Sequence, residues 1–153
     1  QPRFAKRFLR RVEVSGFPKN RLTIEITESG LMDDLPASAR ALAQLRAAGC
    51  RVAIDDFGTG YSSLAYLKDL PADYLKLDQG LSAEIAGSAR DRVVVRGAIE
   101  MARSLGLSVI AEGVESEAQL RLLAREGCSH YQGFLRAGAL DIAALEDMVA
   151  SDA

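Results

Sequence analysis

The chain has 153 residues, of which 48% are hydrophobic and 26% are charged. This composition is typical of a single globular domain and argues against a disordered chain, a coiled coil or a membrane span. Nineteen basic and 21 acidic residues give a net charge of −2. Bulk electrostatics therefore give no reason to expect DNA, RNA or a membrane surface as a partner.

The cysteine and histidine content is low, with only Cys50, Cys128 and His130. These residues form neither a disulfide framework nor a zinc-binding pattern, and each lies in or beside a short apolar run, so we expect all three to be buried core residues. A reducing, cytoplasmic location is the expectation, either for a whole protein or for the cytoplasmic part of a membrane-anchored one. The chain begins at Gln1 without a leader-like segment, and we expect it to be a piece of something longer.

Apolar periodicity predicts helices alternating with strands, within one domain spanning residues 1–153. The first two helices are marked by Phe4, Phe8 and Val12 and by Leu35, Leu42 and Leu45. A short helix is expected over 64–70, and a long one carrying Val93, Val94, Gly97, Met101 and Leu105. Ser116 and Gln119 form a predicted capping box for the next helix, and Asp141 is expected to cap a terminal helix.

Strands are predicted at 22–26, before Asp55, at 74–78, before Glu112 and before Gln132. Three of them follow a unit in which a helical stretch ends at Gly49, Gly106 or Gly127, where a left-handed C-cap is expected. Five strands that alternate with helices predict a parallel α/β fold.

Polar residues lie at or just past the ends of these strands: Glu25, Asp55, Asp56, Lys76, Asp78, Glu112 and Gln132. In parallel α/β folds the carboxyl ends of the strands form one face, where reactive groups gather. The carboxylates among them, with no histidine or cysteine, favour Mg²⁺ or Mn²⁺ over zinc. Adjacent Asp55 and Asp56 could share two ions in phosphodiester hydrolysis, and Lys76 could orient a hydroxide or bind a phosphate.

The alternative is that these acidic residues only cap the helices that follow. Asp is a favoured N-cap, so this explanation stays open for each residue alone. Helix capping does not explain the strand-end polar residues as a group, because Lys76 and Gln132 are poor caps and Glu25 lies inside its strand. The glycine-containing loop after Asp56 is not a P-loop, and Glu28 is placed to brace it by accepting backbone N–H groups.

Several motifs together resemble the EAL family of cyclic di-GMP phosphodiesterases. They are IEITES at 24–29, AIDDFGTGYSSL at 53–64, LKLD at 75–78, IAEGVE at 110–115 and QGF at 132–134. The resemblance implies a TIM-barrel-like domain, of which about five strands are present, and hydrolysis of cyclic di-GMP to linear pGpG at a two-metal site.

The same resemblance implies roles for individual residues. Glu25, Asp55, Asp56 and Glu112 correspond to the metal ligands, with Asp55 bridging, and Lys76 corresponds to the lysine on the attacking water. Gln132 and Asp78 belong to the substrate site, Glu28 braces the DDFG loop near a homodimer interface, and Glu115 supports the site. An upstream sensor or diguanylate cyclase domain would accompany such a domain.

The chain also departs from the family pattern. The Glu-Ala-Leu segment and a following Asn are absent. Gln79-Gly80-Leu81 stands where the family usually has a polar residue followed by Phe, and Arg136 to Ala139 lack the usual Pro, which puts guanine contacts there in doubt. We therefore expect an EAL domain incomplete at its N-terminus and weak or inactive alone. The alternatives are a non-catalytic module that binds cyclic di-GMP or dimerises, and a fragment that pairs with a second copy.

Overall fold

The computed structural model of the chain describes residues 4–58 and 66–151, apart from the side chain of Glu84. The strands are β1 (Thr23–Thr27), β2 (Arg51–Phe57), β3 (Tyr74–Leu77), β4 (Ser108–Ala111) and β5 (His130–Tyr131). The helices are α1 (Phe4–Ser15), α2 (Glu28–Met32), α3 (Leu35–Ala47), α4 (Gln79–Ala83), α5 (Ala89–Ser104), α6 (Glu117–Arg125) and α7 (Ile142–Ser151). Short 3₁₀ turns lie at Lys19–Arg21, Leu67–Asp69 and Glu84–Ala86.

The described strands form one sheet in the order β1-β2-β3-β4-β5, and each neighbouring pair is parallel. The predicted α/β fold with five parallel strands is therefore confirmed. Within the described residues β1 and β5 lie at the two edges of the sheet. Because all strands run the same way, the residues that follow them meet at one edge.

Three helices end at the glycines predicted to cap them. Gly49, Gly106 and Gly127 have φ angles of 98°, 78° and 93°, a region that residues with a Cβ avoid. Each glycine reverses the chain into the segment leading to β2, β4 or β5. The Ser116 and Gln119 capping box and the Asp141 cap are also confirmed.

The main core lies between one face of the sheet and the helices. Alternate strand residues supply it, and each is at most 2% exposed: Val52, Ile54, Leu75, Leu77, Val109 and Ala111. Leu42 and Leu45 of α3 pack in the same core. Complete burial of one such Leu stabilises the fold by about 1.5 to 3 kcal/mol.

The predicted apolar face of α5 was partly wrong, although Met101 does pack against the core. Val93 and Val94 are 69% and 49% exposed, whereas Val95, Ile99 and Ala102 are fully buried. Three consecutive valines fit a helical period in more than one phase, and the packing of α5 on the sheet selects the phase through Val95.

The expected burial of His130 was also wrong, because β5 is a two-residue edge strand whose residues are both exposed. Cys50 is buried as expected, and Cys128 is partly buried. The helix expected over 64–70 falls partly outside the described residues. Its described portion is a 3₁₀ turn, Leu67–Asp69.

Helices α2 and α7 differ from the other helices in how they were predicted and in how they pack. The sequence did not predict α2, which begins at Glu28 directly after β1. No residue of α7 is buried. Among the described residues, no helix is both long and apolar enough to cross a membrane.

Two glycines give a matched test of the C-cap geometry. A Cβ added to Gly106 or to Gly97 would meet no atom within 4 Å, so sterics do not separate them. Gly106→Ala should destabilise the fold by about 1 kcal/mol because its φ angle is positive. Gly97→Ala, inside α5, should stabilise it by about 1 kcal/mol. Urea unfolding measures both, and a shift of the same sign in the two variants would contradict the assignment.

Candidate metal and phosphodiester site

A β-bulge brings two adjacent carboxylates to the same edge of the sheet. The register between β2 and β3 shifts between Ile54 and Phe57, and Asp56 has a φ angle of 57°. Consecutive side chains of a regular strand point to opposite faces, so Asp55 and Asp56 would otherwise diverge. A left-handed Asp costs roughly 1 to 3 kcal/mol, and such strain is common at functional sites.

Glu112 completes the cluster from β4. Its backbone N–H donates to the carbonyl of Leu77, which places it directly past the strand. Carboxylate oxygens of Asp55, Asp56 and Glu112 all lie within 4.8 Å of one another, and the three residues are partly buried. Oxygen ligands at this spacing fit a hard divalent cation such as Mg²⁺ or Mn²⁺.

Lys76 projects from β3 and is 3% exposed. Its Nζ lies 2.6 Å from Glu112 Oε1, 2.8 Å from Glu25 Oε2 and 3.0 Å from Asp55 Oδ1. The prediction from sequence identified no partner within the strand. The partners instead come from β1, β2 and the residue after β4.

The pKa of Lys76 reflects two opposing effects. Burial lowers it, but hydrogen bonds from the ammonium to Glu112, Glu25 and Asp55 outweigh burial and raise it above the ordinary 10.5. The folded state therefore holds this proton more tightly than the unfolded chain. The resulting stabilisation is complete below pH 10.5 and is lost only as the pH rises through the folded pKa. Lys76 is thus a cation at neutral pH.

Glu25 is close to Lys76 but is not part of the three-carboxylate cluster. In the sheet register Thr27, not Glu25, is level with Asp55. Glu25 therefore lies two residues deeper, about 7 Å along the strand. Its carboxylate binds the ammonium of Lys76, and its side chain is 47% exposed.

Glu28 is buried at the start of α2, with 7% exposure. Its carboxylate accepts a hydrogen bond of 2.7 Å from the hydroxyl of Tyr66. Burial and this carboxylate together raise the pKa of Tyr66. The loop that Glu28 was expected to brace begins at Asp56, and its residues from 59 onward lie outside the described residues, which resume at Tyr66.

The remaining predicted residues do not join the cluster. Asp78 Oδ1 accepts the N–H of Gly80 at 2.8 Å, so this carboxylate turns the chain into α4. Gln132 is exposed just after β5, where its backbone N–H donates to Ala111. Glu115 is exposed.

Gln119 has a structural role beyond its predicted cap. Its Oε1 accepts the backbone N–H groups of Glu115 and Ser116, both at 2.9 Å. Its Nε2 donates to the carbonyl of Ala83 at the end of α4, at 3.3 Å. The S-x-x-Q spacing predicts the first of these functions, but nothing in the sequence indicates a contact 36 residues away.

Replacement of Lys76 by Met tests the ion network. Lys76→Met keeps the bulk of the side chain and leaves three nearby carboxylates without their shared cation. We expect a loss of about 2 kcal/mol in unfolding free energy in metal-free buffer, less than for wholly buried pairs because Glu25 is partly exposed. The exposed Lys68 provides the control, and Lys68→Met should change stability little. Equal effects in urea unfolding would refute the network.

Comparison with known proteins places the chain in a family. A model of the EAL domain matches residues 1–139. The bifunctional diguanylate cyclase/cyclic di-GMP phosphodiesterase MucR of Pseudomonas aeruginosa is 50% identical over 116 residues, which cover 76% of this chain and 17% of MucR. The chain spans less than a fifth of the length of such curated relatives.

Comparison with solved structures leads to the same family. The EAL domain of Mycobacterium smegmatis DcpA superimposes with a TM-score of 0.90 at 38% identity, over 97% of this chain and 67% of that one. Klebsiella pneumoniae BlrP1, in complex with manganese and cyclic di-GMP, gives a TM-score of 0.82 at 31% identity, over 90% of this chain and 35% of that one. The five-stranded parallel sheet, its edge of carboxylates and these matches lead to one conclusion, that the chain belongs to the EAL domain family.

Proposed function

We propose that the chain is part of an EAL domain that hydrolyses one phosphodiester of cyclic di-GMP to give linear pGpG, with Mg²⁺ or Mn²⁺ as cofactor. The observation that carries the proposal is the convergence of Asp55, Asp56 and Glu112 within 4.8 Å beside the buried ammonium of Lys76. MucR is named as a cyclic di-GMP phosphodiesterase, and BlrP1 was solved with manganese and cyclic di-GMP.

The carboxylates fit the cofactor in charge and in donor type. Bound divalent cations would polarise the phosphoryl oxygens and lower the pKa of an attacking water. Asp55 belongs to the cluster and also contacts Lys76 at 3.0 Å, which supports a bridging role for Asp55 and a second ligand role for Asp56. Glu112 faces both from β4, and Glu25 is proposed as a further ligand from β1.

Lys76 is proposed as the catalytic cation. It is held by Glu25, Asp55 and Glu112, so its ammonium stays charged and directed to the edge where a phosphodiester would bind. Lys76 balances one of the three negative charges that it contacts, and divalent cations could balance the others. A dianionic dinucleotide can therefore approach an edge that carboxylates alone would repel.

The other predicted residues have supporting roles in the proposal. Exposed Gln132 after β5 and Asp78 after β3 would contact substrate, and Glu115 would support the loop after Glu112. Buried Glu28 would brace the DDFG loop through Tyr66. We also propose that the protein pairs as a homodimer near that loop, and that a sensor or diguanylate cyclase domain accompanies it in the cytoplasm, since MucR is bifunctional and much longer.

Asp55→Asn tests the proposed reaction. In an EAL domain extended upstream of Gln1, loss of this charge should reduce Mn²⁺-dependent hydrolysis of cyclic di-GMP at least about 100-fold. Chromatography of the product pGpG measures the rate. Asp69→Asn, on an exposed turn, is the matched control and should retain activity. The 153-residue chain alone should turn over little.

Three results would contradict the proposal. The first is an extended domain that is silent with both metals, and the second is an Asp55→Asn variant as active as its control. The third is calorimetry that shows cyclic di-GMP bound without turnover in the presence of metal, which would identify a binding module instead.

A further inference from the structure

The two segments that carry the clustered carboxylates come from strands that are not neighbours. Asp55 and Asp56 lie near the end of β2, and Glu112 directly follows β4. Strand β3 lies between β2 and β4 in the sheet. Within the described sheet no backbone ladder joins β2 to β4, so sheet hydrogen bonds alone fix the separation of these carboxylates only indirectly. The element that follows β3 is α4, and it contacts both segments.

Leu81 of α4 packs against the segment after Asp56. Gly58 has a φ angle of 105°, and a Cβ added to it would overlap Leu81 Cδ1 and lie 3.1 Å from Leu81 Cγ. The absence of a side chain at Gly58 therefore allows Leu81 to reach the backbone two residues beyond Asp56. Leu81 is partly buried and packs against the main core.

Gln79 of α4 makes the equivalent contact with the segment after Glu112. Gly113 has a φ angle of 64°, and a Cβ there would overlap Gln79 Cγ and lie 2.8 Å from Cδ and 2.9 Å from Cβ. At the other end of α4, the Ala83 carbonyl accepts the amide of Gln119, which also holds the backbone of Glu115. The segment after Glu112 is thus attached to both ends of α4.

We propose that α4 is a spacer that acts together with the ammonium of Lys76, which contacts Asp55 and Glu112, to set the distance between Asp55 and Asp56 on one side and Glu112 on the other. Leu81 and Gln79 are its positioning residues, and they act on metal affinity without touching the metal. The inference rests on the proposed metal-binding role of these three carboxylates. It also gives a function to Gln79-Gly80-Leu81, which departs from the family pattern.

The first test is a titration of the chain with Mn²⁺ into the millimolar range. Electron paramagnetic resonance measures the free Mn²⁺ at each step. Leu81→Ala and Gln79→Ala should each weaken binding about tenfold, the scale on which residues that orient metal ligands act. Leu81→Met and Gln79→Met keep side chains of similar length and bulk against Gly58 and Gly113 and should bind within about twofold of wild type.

Leu22→Ala is the matched control for general loss of packing. Leu22 is also partly buried against the core, but it lies just before β1, at the opposite end of the sheet from the carboxylates. The Leu22→Ala substitution should reduce the stability of the fold and leave the Mn²⁺ affinity unchanged. If Leu22→Ala weakens Mn²⁺ binding as much as Leu81→Ala does, the spacer role is overturned.

A metal-free readout separates this proposal from the proposed function. In two-dimensional NMR spectra, Leu81→Ala should shift the amide resonances of both Gly58 and Gly113, and Leu22→Ala should shift neither. A change confined to Gly58 would overturn the spacer. Wild-type chain that binds no Mn²⁺, or Asp55→Asn that binds it equally well, would instead refute the metal site, while the NMR result still decides the role of α4.

Discussion

The ammonium of Lys76 binds carboxylates delivered by β1, by β2 and by the residue after β4, and the carboxyl ends of these strands depend on it for their arrangement. Each carboxylate alone would favour solvent, and together they would repel one another at this spacing. A cation that is 3% exposed lets them converge while the described sheet remains folded. The same convergence creates the dense set of oxygens that a divalent ion requires.

The local backbone is adapted to this arrangement. A regular β2 would send Asp55 and Asp56 to opposite faces, and the bulge with a left-handed Asp56 brings both to one edge. Glycines at 58 and 113 then permit α4 to approach the two segments. Among the described residues, the non-glycine residue with a positive φ angle, Asp56, lies here, whereas the opposite face of the sheet is an ordinary aliphatic core.

Much of the fold follows from local pattern. The glycine caps, the five strands and the capping box depend on nearest neighbours and backbone conformation, so the sequence contains them. The strand-end position of Asp55, Lys76 and Glu112 also predicts that they meet, because parallel strands end at one edge. The sequence could not predict how far along its strand a residue lies relative to the neighbouring strand, or which face of a helix is buried. The level of Glu25 below Asp55 depends on sheet register, and the buried face of α5 depends on packing.

Contacts between distant segments were the least predictable. Tyr66 beneath Glu28 and Gln119 against Ala83 join residues 38 and 36 positions apart, and no periodicity encodes such pairs. His130 was expected in the core because it follows a glycine like the other strands, but an edge strand of two residues buries neither side chain. The departures at Gln79 and Leu81 gained a meaning only when their partners, Gly113 and Gly58, were known.

Anomalous X-ray diffraction from crystals of the protein grown with Mn²⁺ would locate the bound ion without reference to activity. We expect an anomalous peak in contact with the carboxylates of Asp55, Asp56 and Glu112. A structure with no peak there, in which Lys76 still binds Glu25, Asp55 and Glu112 at saturating Mn²⁺, would contradict it.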